Sequence, residues 1–263
     1  MLSDRAFGFV KEQSYFDYLQ EHINTFSSNW YLRIDIKNFF CSINETHIEK
    51  AFEFYVDGEE KQEIVDIIKK IVLYNNELVQ GTPVAPVISN IVFRPLDIRI
   101  ERYCDMQGVN YSRYADDLLF STEREGILTR KFVRTIERIL NSHSFTINYD
   151  KLRMSQNTIA LNGFVIGDDV RLSRKRMKHI SGMVYYLEKN PFKKNKDWFI
   201  NFNQKMKYFG YSSIGNCNEI INILAGNRSF ILSAKKVGKD EYYLMHCEKL
   251  IKRIEKQIDV LCK

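Results

Sequence analysis

Tyr111-Ser-Arg-Tyr-Ala-Asp-Asp-Leu-Leu-Phe-Ser121 reads as strand, tight turn, strand, with Asp116 and Asp117 side by side at the turn. Side chains alternate faces along a strand, so neighbouring aspartates share one site only where the chain bends between them. Held together they repel, unless a cation lies between them. A third carboxylate, Asp35, closes the largely apolar run Trp30-Tyr-Leu-Arg-Ile-Asp35. Apolar character of that kind marks a central strand buried on both faces. Three carboxylates converging from strand ends form a hard oxygen site suited to magnesium. A bare Asp-Asp pair is otherwise a solvated acidic turn, so its surroundings decide.

Those surroundings are globular. With 44% hydrophobic and 27% charged residues, the chain has the composition of a folded protein and not of a disordered one. No window offers the roughly 18 uncharged apolar residues of a membrane span, and no apolar signal core follows the first residues, so no membrane is expected and a cytoplasmic location is. Five scattered cysteines (41, 104, 217, 247 and 262) without a Cys-x-x-Cys pair suit a reducing compartment and argue against structural zinc. Charge is unevenly placed. From Val170 onward there are 20 Lys+Arg and 8 Asp+Glu, net +12, against 19 and 25 before it, net −6. An acidic body followed by a basic tail suits an enzyme that gathers metal in one part and phosphate backbone in the other. The plainer alternative is that the lysines solvate exposed helices.

Periodicity places the elements. Tyr15 to His22 reads as helical, with His22 in a packing or capping role because no second histidine stands nearby. Asn44 to Tyr74 reads as helix broken near Gly58, with Thr46 and Glu49 as a capping box. Ile64, Val65, Ile67, Ile68, Ile71 and Val72 form a stripe expected to face the core. Gly81, Pro83 and Pro86 interrupt the chain before a helix expected over Val87 to Met106. Arg124 to Ser142 is expected as an amphipathic helix and Phe145 to Asn148 as a short strand. Residues 159–173 read as a hairpin, with Asp168 and Asp169 as ordinary turn residues. The remainder is helical and basic, with Arg174, Lys175, Arg176, Lys178, Lys193 and Lys194 interleaved with aromatic rings. That mixture suits gripping a nucleic acid by its phosphates without reading its sequence.

The motifs carry a resemblance. Tyr114-Ala-Asp-Asp117 resembles the catalytic box of reverse transcriptases, and Asp35-Ile-Lys-Asn-Phe-Phe40 resembles their first metal-binding motif. Gln80-Gly-Thr-Pro-Val-Ala-Pro-Val-Ile-Ser-Asn90 resembles the motif between them, with Ala85-Pro86 in place of the usual serine-proline. Asn148-Tyr-Asp-Lys151 and Leu161-Asn-Gly-Phe164 resemble the two motifs that follow. Order and spacing match over about residues 7–180, in the manner of bacterial retron-type and phage-defence enzymes. Leu161-Asn-Gly163 stands where retrons usually have Val-Thr-Gly, and Tyr18-Leu-Gln-Glu-His22 where they have Asn-Ala-x-x-His. Both departures favour a defence-associated relative.

The resemblance implies an α+β fold: a right-hand polymerase palm with a ferredoxin-like β-α-β-β-α-β core and reduced fingers over residues 1–170, then a basic helical thumb over 171–263. It implies RNA-directed DNA polymerase activity in antiphage defence, with two magnesium ions for which manganese can substitute. Asp35 and Asp116 would bridge the metals, with the Ile36 carbonyl as a further oxygen ligand and Asp117 assisting. Lys151 would stabilise the pyrophosphate leaving group. Phe40 would exclude a 2′-hydroxyl by bulk, and Gln80, Gly81 and Pro83 would lie against the template base and incoming nucleotide. Implied partners are an RNA template, a DNA product, deoxynucleotides and a noncoding RNA. Related enzymes carry a basic triphosphate clasp before the Gly-Phe segment, whereas here only Arg5 and Lys11 are basic before Arg33. The expectation is either minimal fingers or contacts supplied by an RNA, a partner subunit or a second copy. Two other functions stay open: a template-independent or protein-primed DNA polymerase on the same fold, and a non-catalytic nucleic-acid-binding subunit.

Overall fold

A computed structural model describes residues 3–23, 29–53, 55–211 and 213–262. The chain divides into two compact units, residues 1–159 and 160–263, ahead of the expected division at 170.

The first unit is built on strand β1 (Trp30–Asp35). In order along the chain stand α1 (Tyr15–Gln20), β1, α2 (Glu45–Phe52), α3 (Lys61–Val72), the short strands β2 (Leu73–Tyr74) and β3 (Glu77–Leu78), α4 (Ala85–Gln107), β4 (Asn110–Tyr114), β5 (Asp117–Thr122), α5 (Arg130–Asn141) and β6 (Arg153–Gln156). The main sheet has the order β4-β5-β1-β6, antiparallel throughout. With α4 and α5 as its two helices, this is the expected β-α-β-β-α-β core. β1 is paired on both edges, and its Leu32 and Ile34 are wholly buried in the core with Phe93 of α4 and Ile136 and Leu140 of α5. α4 begins with a proline in its first turn and ends at Gly108 in the left-handed conformation (φ 65°), the usual asymmetry of helix ends. Its Phe93 meets Phe39 and Phe145 at ring distances of 5.6 and 5.2 Å. Each buried ring of this kind contributes about 2–3 kcal/mol of transfer free energy.

Four expectations need correction. α2 is capped by Asn44 with His47, not by Thr46 with Glu49, because Asn44 is the last extended residue before the helix. Of the isoleucine stripe on α3, Val65 and Val72 are buried, while Ile64, Ile67 and Ile71 are exposed. Residues 123–129 form turns, so α5 starts at Arg130. Phe145 to Asn148 is no strand; Ile147 makes one bridge to Ile36, and the fourth strand is β6.

The second unit contains a three-stranded sheet, β7 (Ile159–Leu161), β8 (Phe164–Ile166) and β9 (Val170–Leu172), the first of which begins at the unit boundary. Four helices follow: α6 (Arg174–Lys189), α7 (Lys196–Tyr208), α8 (Cys217–Val237) and α9 (Glu241–Leu261). Asn162 and Gly163 join β7 to β8 with φ of 47° and 91°. Two successive left-handed residues make a type I′ hairpin turn, which accounts for the Asn-Gly pair. Asp168 is exposed turn chemistry, as expected, but Asp169 is not. It is buried and accepts hydrogen bonds from the backbone N–H groups of Val170, Lys239 and Asp240. Among the described residues, no helix is long and apolar enough to cross a membrane.

Candidate active site

The register of β1 and β5 sets Asp35 directly opposite Asp117. β4 and β5 are joined by Ala115 and Asp116 alone, and Ala115 takes the left-handed conformation (φ 56°). A two-residue hairpin loop needs a positive φ to match strand twist, and alanine adopts it at some strain. The turn is buttressed. Gly8 packs so closely that a Cβ on it would lie 2.6 Å from the Ala115 nitrogen, and the Gly8 carbonyl accepts from Asn90 Nδ2 at 2.8 Å. Asn90 ends the Gln80–Asn90 motif, so that motif reaches the turn through Gly8. On the other side, the Ile36 N–H donates to the Asp116 carbonyl at 2.9 Å, fixing the turn to the end of β1.

Each carboxylate has a different environment. Asp35 is buried; its Oδ1 accepts from Asn148 Nδ2 and its Oδ2 from Lys151 Nζ, both at 2.9 Å. The Asn148 N–H also donates to the Asp35 carbonyl at 2.8 Å. The Lys151–Asp35 side-chain hydrogen bond holds the Lys151 ammonium above its ordinary pKa, although the lysine is largely exposed. Asp117 is buried and receives two hydrogen bonds from the Arg33 guanidinium. Asp116 is half-buried, and its carboxyl pKa is raised, by burial first and then by the negative charges of Asp117 and Asp35. The site therefore has protein cations on two of its three carboxylates and an excess of negative charge around the third.

Asp35, Ile36, Asp116, Asp117 and Lys151 are thus brought to one end of the sheet. Phe40 is half-buried against Phe39, their rings 5.3 Å apart. Gln80, Gly81 and Pro83 are exposed on the loop entering α4; Gly81 has a φ of 91° and open space around it, so backbone conformation explains this glycine. In the second unit Arg174, Lys175, Lys178, Lys193 and Lys194 are exposed. Arg176 is not. It is half-buried, with its guanidinium 5.3 Å from the Phe230 ring centre and donating to Asn227 at 3.3 Å.

Sequence reasoning missed Arg33 as part of this site, and named Asn148 only within its motif, without its contact to Asp35. Arg33 had a signal: two residues before Asp35 on one strand, it shares that residue's face.

The reverse transcriptase (RNA-dependent DNA polymerase) family model matches residues 1–211. The chain belongs to the reverse transcriptase family. It is 30% identical to the Retron Ec86 reverse transcriptase of Escherichia coli over 187 residues, covering 69% of this chain and 56% of that protein. It is 30% identical to the Retron Ec73 reverse transcriptase of the same organism over 190 residues, covering 66% and 59%. It therefore spans somewhat more than half the length of these relatives. Among solved structures, a Candida albicans telomerase in complex with a fragment of telomeric RNA aligns with a TM-score of 0.51 at 12% identity, over 95% of this chain and 52% of that one. That likeness concerns the fold, a polymerase palm of mixed helix and sheet. The retron-type resemblance read from the motifs agrees with these relatives.

Reverse transcriptases work with divalent metals, and the residues here fit one in part. Among the described residues, no group of three His, Cys, Asp or Glu side chains is arranged to hold a metal. The structure sets Asp35 opposite Asp117 with Asp116 in the adjoining turn, and pairs Asp35 with Lys151 and Asp117 with Arg33. Carboxylate oxygen donors suit a hard cation that keeps much of its water.

Proposed function

We propose that the chain is an RNA-directed DNA polymerase that adds deoxynucleotides to a 3′-hydroxyl, with Asp35 and Asp116 as its catalytic carboxylates. The observation that carries this reading is the half-buried Asp116, its pKa raised beside Asp35 and Asp117, on a strained turn at the sheet end. Asp35, Asp116 and the Ile36 carbonyl would hold magnesium, or manganese in its place, which when bound supplies charge stabilisation at the attacking and leaving oxygens. Lys151 is within hydrogen-bond reach of Asp35 and extends into solvent, where it would meet a triphosphate. Phe40 would limit the space at the sugar, and Gln80, Gly81 and Pro83 would line the template side.

The nucleic acid would lie along α6. Arg174, Lys178, Tyr185 and Lys189 recur at helical spacing on one face and are all exposed, while Ile180, Met183, Val184 and Leu187 bury the other. The stripe is about 22 Å long at 1.5 Å per residue, enough to follow several phosphates. Glu188, its acidic neighbour, is held by Arg253 at 2.7 Å.

Incorporation of labelled deoxynucleotides with magnesium and an RNA template tests the proposal. Wild type is expected to extend the primer, and Asp116→Asn to lose several orders of magnitude while remaining folded. Wild-type rates from Asp116→Asn would overturn the assignment. Incorporation indifferent to template would favour the template-independent polymerase, and nucleic-acid binding without incorporation would favour a non-catalytic subunit.

A further inference from the structure

Arg113 lies two residues before the strained turn, a charged side chain with no exposed surface. Its Nε and Nη2 donate to the two carboxylate oxygens of Asp97 on α4, both at 2.8 Å. The Tyr111 hydroxyl donates to the same carboxylate at 2.8 Å, and the guanidinium carbon lies 4.6 Å from the Phe93 ring centre. The remaining arm, Nη1, donates to the Ala115 carbonyl at 3.1 Å.

Net stability does not explain this arrangement. A fully buried ion pair is often no more stabilising than apolar side chains of the same volume, because desolvation offsets the attraction. The arm to Ala115 suggests another use. A left-handed alanine persists only where its surroundings over-determine it. Here Gly8 packs against Ala115 too closely to admit a Cβ, and Arg113 holds the Ala115 carbonyl. The next residue is Asp116.

We propose that Arg113 is the positioning residue of the catalytic turn: through the Ala115 carbonyl it sets the direction in which Asp116 presents its carboxylate, and Asp97 anchors it to α4. Arg113 touches neither substrate nor metal. Only a guanidinium fork can serve a carboxylate with two donors and a carbonyl with a third, so lysine cannot replace it. The inference rests on reading Asp116 as a metal-bearing carboxylate.

Two variants test it. R113M/D97L replaces the pair with apolar side chains and removes the tether, and R113K keeps the charge but loses the fork. The readouts are Mn2+ affinity by electron paramagnetic resonance without substrate, kcat and KM for primer–template, and the melting temperature. In both variants Mn2+ affinity and kcat are expected to fall about 10- to 100-fold, as when a residue that orients a metal ligand is lost, with KM unchanged. A purely structural role would lower the melting temperature and leave Mn2+ affinity intact. Folded R113M/D97L with wild-type Mn2+ affinity and kcat would overturn the inference; if that variant does not fold, the same result in R113K does so. A wild type that neither binds Mn2+ nor incorporates nucleotide would instead remove the underlying reading of Asp116.

Discussion

Arg33 holds Asp117 with two parallel hydrogen bonds, Nε to Oδ1 at 2.8 Å and Nη2 to Oδ2 at 2.9 Å. The register explains the pair. Asp117 stands directly opposite Asp35, where like charges destabilise an antiparallel ladder, and Arg33 is one diagonal step away on the same face. The adjacent aspartates of the box thus differ in kind: Asp117 is neutralised within the sheet, while Asp116 is left at the turn.

Arg33→Met is therefore expected to destabilise the first unit by about 3–5 kcal/mol, the effect of leaving one buried partner of an ion pair uncompensated. Urea unfolding would measure it. Asp117→Asn added to Arg33→Met should recover part of the loss, since the amide has no charge to leave unpaired. Magnesium should raise the melting temperature of Arg33→Met more than that of wild type. Equal magnesium effects in the two proteins would show that Asp117 takes no part in cation binding even when released.

A second consequence concerns pH. His22 is fully buried between the hydroxyls of Ser121 and Ser112, each 2.7 Å from a ring nitrogen. Burial, with a smaller contribution from the Arg5 charge, lowers its pKa to about 3. The folded histidine stays neutral while the unfolded one protonates, so the unfolded state binds more protons below the ordinary histidine pKa, about 6.5. Stability due to this group is fully present above that pH and is lost as pH falls toward 3, by about 1.4 kcal/mol per pH unit. His22→Asn should be less stable than wild type at pH 8, with the gap closing as pH falls through 6 and 5. Parallel stability curves would refute the buried neutral state.

How much of this was legible follows from where each signal arises. Asp35, Asp116 and Asp117 could be found because they sit at abrupt ends of apolar runs, and the two central strands because burial on both faces leaves continuous hydrophobicity. β6, whose residues are Arg153-Met-Ser-Gln156, carries no such mark: three of its four residues are exposed, and it exists by pairing with β1. The α3 stripe was real as periodicity, but periodicity does not say which of two apolar faces meets the core. Arg113 was illegible for the opposite reason. A charged residue in a strand suggests solvent, and its burial depends on Asp97, 16 residues away on another element.

Asp169 supplies a third test, because its neighbour serves as a control. Removing its side chain leaves three backbone N–H groups without their charged acceptor. Hydrogen bonds to charged groups contribute about 1.5–3 kcal/mol each and are not additive, so Asp169→Ala should destabilise the second unit by about 3 kcal/mol or more. Asp168→Ala, at an exposed position, should remain within about 0.5 kcal/mol of wild type. Equal effects from the two changes would contradict the anchoring role of Asp169.

The basic stripe on α6 gives the last prediction, and Arg176 makes it selective. Fluorescence anisotropy with a labelled RNA–DNA duplex across a range of potassium chloride separates phosphate contacts from other contributions. Each phosphate contact adds about 0.9 to the slope of log affinity against log salt. Lys178→Ala should therefore weaken binding and reduce that slope by about 1. Tyr185→Ala removes no charge, so it should weaken binding while leaving the slope unchanged. Lys189, whose ammonium lies 5.8 Å from that ring, should behave like Lys178. Arg176 is held against Phe230 and Asn227, so Arg176→Ala should lower the stability of the second unit and leave the salt slope as it was. A slope change for Arg176→Ala as large as for Lys178→Ala would mean that nucleic acid draws this guanidinium out of its packing, and that the interface is wider than the exposed face of α6.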